Sequence, residues 1–124
     1  MNMKLNRMSK SVLIVLLVFF GFNMSAQNKN ARAAFEVDGV CTMCKERIEK
    51  AAIRTKGVKS ATWDINTHML SVIYDERRTD LKTINQNVAE VGHDTHEIKA
   101  TDEAYSKIHS CCKYRDEEVI KEHE

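Results

Sequence analysis

Cysteine occurs four times in this chain, as two close pairs: Cys41 and Cys44 in "GVCTMCKERIEKAA", and Cys111 and Cys112 in "HSCCKY". Thiolates are soft ligands that select copper(I), zinc(II) and similar ions, and the same side chains pair as disulfides or work as redox couples. Four chemistries are therefore open to the first pair: a disulfide, a redox couple, a structural zinc knuckle, or an open clamp for an ion in transit. Two thiolates alone underfill a coordination sphere, which suits an ion that accepts low coordination and is then handed on. A structural zinc site wants four closed ligands. Cys111, Cys112 and His109 are available to complete one, but the long separation of the pairs and the adjacency of the second are unlike a zinc knuckle. Thioredoxin-like sites set their cysteines against a cis-proline, and this chain has no proline. Adjacent cysteines bond to each other only with strain, so a disulfide framework would join the two pairs or close within Cys41–Cys44.

The elements around these residues follow from periodicity. Residues 33–37 read as a strand with Phe35 and Val37 on one face, broken by Asp38 and Gly39. From residue 42 to 55 the spacing is helical, with Ile48, Ala51, Ala52 and Thr55 at i, i+3, i+4 and i+7. Residues 58–65 alternate with Ala61, Trp63 and Ile65 inward, and 68–75 alternate with Leu70, Val72 and Tyr74 inward, around an Asn66–Thr67 turn. Thr79 or Asp80 caps a second helix with Leu81, Ile84, Val88 and Val91 on its buried stripe, and Gly92 stops it. Residues 93–99 read as a short last strand. The order strand, helix, strand, strand, helix, strand predicts an α+β, ferredoxin-like βαββαβ antiparallel sheet with both helices on one face.

That architecture brings three loops to one end: the Cys41–Cys44 loop, the hairpin turn with His68, and Gly92–His93. The helix N-terminus adds partial positive charge there, and with Lys45 and Arg47 is expected to lower both thiol pKa values. On this reading Cys41 and Cys44 sit exposed on the loop and first helical turn. His93 stands at the correct end for an auxiliary ligand, although a half-exposed loop histidine has the same signature. Met43 lies between the cysteines, its thioether either facing solvent or acting as a weak extra ligand. Residues 101–124 form an extension. Tyr105 and Ile108 are expected to make one packed helical turn, and "RDEEVIKEHE" to fray. Cys111 and Cys112 point apart in an extended chain, so alone they chelate poorly. Folded back beside the first pair, one of them completes a three-coordinate thiolate site.

The first 26 residues differ in kind. Lys4, Arg7 and Lys10 precede an apolar run at 12–22, followed by Ser25 and Ala26, the order of a secretory signal peptide. The run is about 11 residues, short for a ~30 Å hydrocarbon core. The expectation is an exported chain, periplasmic, with a polar leader at 27–32, a domain at 33–100 and the extension at 101–124. Removing residues 1–26 takes three of the 19 basic residues and none of the 18 acidic ones, turning a net charge of +1 into −2. No basic stripe points to nucleic acid.

Taken in this order, "FEVDGVCTMCKERIEKAA", "GVKSATWDINTHMLSVIYD" and "LKTINQNVAEVGHDTHEIKA" resemble the first strand, loop and helix, the hairpin, and the second helix and last strand of the heavy-metal-associated domain. The resemblance covers about residues 33–100. It implies that Cys41 and Cys44 correspond to the family's two metal-binding cysteines. Copper(I) is then the first choice of cargo, with mercury(II) or zinc(II) as alternatives. The implied partner is a metal transporter or another metal-binding protein, reached by thiolate exchange, and no substrate is turned over. Two departures stand out. The methionine that follows glycine in the family's G-M-x-C-x-x-C is absent, and "GVC" is one residue shorter, so Val40 is expected to plug the core. Gly92–His93 stands where many bacterial members have glycine–tyrosine. The family has no counterpart to Cys111–Cys112, so resemblance assigns that pair no role.

Overall fold

A computed structural model describes residues 26–124. The proposed signal peptide lies, all but its last residue, outside the described residues. The elements are β1 (Ala31–Glu36), α1 (Thr42–Ile53), β2 (Val58–Trp63), β3 (Met69–Tyr74), α2 (Leu81–Glu90), α3 (Asp102–Ser106), a 3-10 turn (Ser110–Cys112) and α4 (Glu117–Glu122).

The three strands form one antiparallel sheet in the order β1-β3-β2. Phe35 lies opposite Leu70 across one seam, and Trp63 opposite Leu70 across the other. The alternation puts Ala31, Trp63, Leu70, Val72 and Tyr74 on the covered face, where Cys44, Ile48 and Ala52 of α1 meet Ile84 and Val88 of α2. Arg32, Ala34, Thr62 and Ser71 stand exposed on the other face. Ile65 was expected inward with Trp63, but β2 ends at Trp63 and Ile65 is exposed in the turn. That turn is held by the Asp64 carboxylate, which accepts from the backbone N–H groups of Asn66 and Thr67 and so ends the alternation early.

The fold class is the expected one, α+β and ferredoxin-like, but the sixth element is reduced. Only Val37 and Thr95 bridge where a fourth strand was expected over 93–99. Side chains there compete with the ladder. Thr95 Oγ1 accepts from Ile98 N at 3.0 Å, and Asp94 Oδ1 accepts from Ala100 N at 2.8 Å. The chain therefore curls instead of extending along β1. Asp80 is the cap of α2, accepting from Thr83 N. Gly92 follows with φ at +102°, the left-handed position that ends the helix.

The extension is docked rather than loose. The expected turn around Tyr105 is α3, capped by Thr101, and Ile108 is buried. The end does not fray as expected: Arg115 is bound on several sides and Glu117–Glu122 is helical. Gly92 makes room for this docking, since a Cβ there would stand 2.5 Å from Ile108 Cγ2 and 2.9 Å from the Ala104 carbonyl.

Candidate metal centre

Cys41 is the N-cap of α1, with extended backbone at φ −143° and ψ 171°. Its Sγ accepts from the Cys44 backbone N–H at 3.4 Å, taking the place usually held by a serine or aspartate oxygen. Gly39 lets the loop lie on the core, because a Cβ there would sit 3.0 Å from the Trp63 ring and 3.1 Å from Cys44 Cβ. Trp63 is fully buried and donates its indole N–H to the carbonyls of Val37 and His68. It thus fixes both the start of the cysteine loop and the hairpin turn. Val40 packs against the core as the shortened loop predicts.

The extension brings the second pair onto the first. Cys41 Sγ lies 3.1 Å from Cys44 Sγ, 2.9 Å from Cys112 Sγ and 4.0 Å from Cys111 Sγ. The 3-10 turn bends the backbone so that Cys111 and Cys112 do not point apart, and their sulfurs are 3.8 Å from each other. All four are free thiols. The sulfurs of Cys41, Cys111 and Cys112 lie within 4.8 Å of one another, the reach of a single ion.

Both first-pair thiols are buried, not exposed as expected: Cys44 packs in the core with Ile48 and Trp63, and the sulfurs of the extension lie against Cys41. Burial by itself raises a thiol pKa, yet at Cys41 it is outweighed by donors from Cys112, Cys44 and the Cys44 N–H, and the net direction is down. At Cys44 burial prevails and the pKa rises, so the expectation of two lowered thiols holds at one. Burial, reinforced by the neighbouring sulfurs, pushes Cys111 up to about 11 and Cys112 up to about 12. Cys41 is therefore the most readily ionised of the four, and the other three are shifted the opposite way. Lys45 takes no part, being bound to Glu49 at 2.8 Å and the Trp63 carbonyl at 2.7 Å. Arg47 lowers the Cys112 pKa, but burial and the neighbouring sulfurs outweigh it.

Of the auxiliary candidates, Met43 is 42% exposed with its Sδ 3.6 Å from Cys111 Sγ, so it flanks the sulfur group at the surface. His109 is there too, its Nδ1 3.1 Å from Cys111 Sγ. His93 is fully buried rather than half-exposed. It bonds through Nδ1 to the Asp38 carbonyl at 2.8 Å and stacks on Tyr114, and burial pulls its pKa down to about 4. Its buried Nε2 has no hydrogen-bond partner, and it is not among the ligand atoms that converge. His68, at φ +60°, stacks on Trp63.

The side chains that hold the extension in place were missed by sequence reasoning. Tyr114 donates to the Gly92 carbonyl at 2.6 Å and accepts from Asp94 N at 2.9 Å. Arg115 meets the Asp94 carboxylate with two nitrogens, at 2.8 and 3.2 Å, and donates to the Ala100 carbonyl at 2.8 Å. Arg115 also lies over the Tyr105 ring, 4.3 Å from its centroid. The one available signal was that an aromatic and an arginine, Tyr114 and Arg115, stand two and three residues after Cys112.

A small α+β domain with a thiol pair at the start of its first helix is the scaffold of a soft-metal-binding module. The chain belongs to the heavy-metal-associated domain family, whose model matches residues 34–94. It is 30% identical over 59 residues to the copper chaperone CopZ of Staphylococcus haemolyticus, covering 47% of this chain and 87% of that one. It is 34% identical over 64 residues to a copper-exporting P-type ATPase of the same species, covering 51% of this chain and 8% of the ATPase. The chain thus spans under a tenth of that transporter. Among solved structures, a CopZ metallochaperone superposes with a TM-score of 0.51 at 26% identity, covering 52% of this chain and 98% of the other. The family match ends at residue 94, short of the extension that carries Cys111 and Cys112.

Proposed function

We propose that this protein is a carrier of a soft metal ion, copper(I) first, which it binds at Cys41 and Cys44 and passes on by thiolate exchange. The observation that carries the reading is the Cys41 sulfur at the N-cap of a helix with Cys44 Sγ 3.1 Å away, where surrounding donors outweigh burial and draw the Cys41 pKa below the ordinary thiol value. Soft thiolates favour copper(I), and the relatives named for copper point the same way. Mercury(II) and zinc(II) are the alternative cargoes. An incoming thiolate from a transporter or another metal-binding protein adds to the ion, and an outgoing one leaves. Ligands change places without bond-making in a substrate, so the role is carriage, not catalysis. The basic, apolar, small order of residues 1–26 supports export, with the periplasm as the working compartment.

The test is a copper(I) titration of the reduced protein against a competing chelator. The double variant Cys41→Ser, Cys44→Ser is expected to lose tight binding while keeping its far-ultraviolet spectrum. Retained tight binding in that variant overturns the reading.

A further inference from the structure

Cys111 and Cys112 are held by a structure too elaborate for a passive tail. Its anchor is Arg115, paired with Asp94, bonded to the Ala100 carbonyl and seated on Tyr105. Lys113 adds a donor to the Tyr105 carbonyl and a cation over the same ring. Tyr114 closes the assembly against Gly92 and Asp94. These contacts flank the cysteine turn and press it onto the loop of α1. Cys112 is fully buried as a result and joins the core cluster with Ile108 and Tyr114.

We infer that the extension supplies two of three sulfurs of a closed soft-metal site, in which Cys41 is the pivot and Cys111 and Cys112 take the place of Cys44. This rests on the reading of Cys41–Cys44 as the carrier pair. Cys41 Sγ lies within 4.0 Å of each of the other three sulfurs. The triangle it makes with Cys111 and Cys112 has edges of 4.0, 3.8 and 2.9 Å, the scale of a three-coordinate thiolate site. In the metal-free cluster, thiol protons lie between these sulfurs. A monovalent cation replaces them, each ligating thiol releasing its proton to solvent, with no electron transferred. The exposed flank carries Met43 Sδ and His109 Nδ1, both against Cys111, a set of soft and borderline donors on the side open to an arriving ion. Exposure falls from Cys111, partly open, to Cys41 at 7% and to Cys112 and Cys44 at zero.

The functional consequence is retention. With the extension docked, no second protein reaches Cys41 or Cys44. The extension meets the loop as a partner's cysteine pair would, and a partner takes the ion only by displacing it. The closed protein is a holder, and the open one a donor.

The experiment is copper K-edge X-ray absorption on the reduced, copper(I)-loaded protein with its full extension, together with chelator competition. The wild type is expected to show three sulfurs per copper. Cys111→Ser with Cys112→Ser is expected to show two, with affinity lower by on the order of 100-fold, the loss of a tethered ligand pair. Cys44→Ser is expected to keep three. Arg115→Ala, which leaves every thiol in place, is expected to lower affinity part of the way and to speed copper release to a dithiol acceptor. Two sulfurs in the wild type overturn the inference without needing any variant. So does unchanged affinity in the Cys111, Cys112 double variant when Cys41→Ser with Cys44→Ser has lost binding, and that result leaves the carrier reading intact. Tight binding that survives loss of Cys41 and Cys44 defeats both.

Discussion

Cys41 and Cys44 are held by a helix start pressed onto a buried tryptophan, whereas Cys111 and Cys112 are held by a polar clasp of Tyr114, Arg115 and Asp94. The first pair rests on apolar packing that is continuous with the core: Cys44, Ile48 and Trp63 are all fully buried. The second reaches that core only through Ile108, Cys112 and Tyr114 and is oriented by a small number of directional bonds. Packing of the first kind opens only when the domain unfolds. A clasp of ion pairs and hydrogen bonds opens locally, at a fraction of the global free energy. The two halves of one sulfur cluster thus differ in how readily they let go, as a holder that must also release requires.

The largest effect expected is from Trp63→Ala. It removes a fully buried ring that supports Gly39 and donates to two carbonyls. The cost is about 3–5 kcal/mol. Urea unfolding should show a lower midpoint, and the extension should be lost together with the loop. An extension that stays docked in this variant breaks the comparison, since the clasp would then stand without the core.

His93 joins the two regions, bonded to Asp38 on the cysteine loop and stacked on Tyr114 of the extension. Burial, the largest influence, and the Arg47 charge depress its pKa from 6.5 to about 4, against the raising effects of the Asp38 carbonyl and Asp94. Between those values the unfolded chain binds a proton that the folded chain excludes. Stability is therefore full above about 6.5 and falls as pH drops toward about 4. The loss is on the order of 2–3 kcal/mol. Urea midpoints of the metal-free protein between pH 7.5 and 4 measure it, and His93→Gln, which does not titrate, should flatten the slope. An unaltered slope in that variant places the acid sensitivity elsewhere.

Most of the apolar half of this molecule was legible in the sequence, and most of the polar half was not. The stripe of Ile48 and Ala52 and the alternation of Leu70, Val72 and Tyr74 mark elements because burial imposes a period. The clasp has none. Tyr114, Arg115 and Asp94 are brought together by the path of the chain, and residue spacing carries no trace of it. The same gap explains the reduced last strand, where Asp94 and Thr95 bond to the backbone and defeat an extended reading. It also bears on the burial of Cys41, against which another segment folds. The sequence shows that the tail is long enough for Cys111 and Cys112 to return to the first pair, but no pattern in it demands the return, and the 3-10 turn that makes their sulfurs converge leaves no trace in the spacing.

Tyr114→Phe separates the regions more finely. It deletes one hydroxyl, leaving the Gly92 carbonyl and the Asp94 N–H without their partner while the ring stays. The expected cost is about 1–2 kcal/mol. It should fall mainly on docking of the extension, seen as faster labelling of Cys112 by a thiol reagent. A drop in the global urea midpoint with no change in labelling would mean that the clasp and the core open as one unit.

Thr101→Ala is the mildest probe and the most selective. Thr101 caps α3 by accepting from Ala104 N at 3.1 Å, and α3 carries Tyr105, the ring on which Arg115 and Lys113 rest. Loss of such a cap costs about 0.5–1 kcal/mol. Nothing in the sheet or in α1 touches the threonine hydroxyl through a hydrogen bond, so the cost is confined to the extension. If the extension opens independently of the core, the substitution raises Cys112 labelling by about two- to fivefold, since each 1.4 kcal/mol is a factor of ten. The midpoint of global unfolding should stay where it is, because the extension has already undocked when the core gives way. The corresponding cap in the core is Asp80, which accepts from Thr83 N at the start of α2. Asp80→Ala should do the reverse, lowering the global midpoint by a similar free energy with little effect on labelling. Two caps of similar strength, one in each region, thus give opposite pairs of readouts if the clasp is a separate opening unit, and matching pairs if it is not.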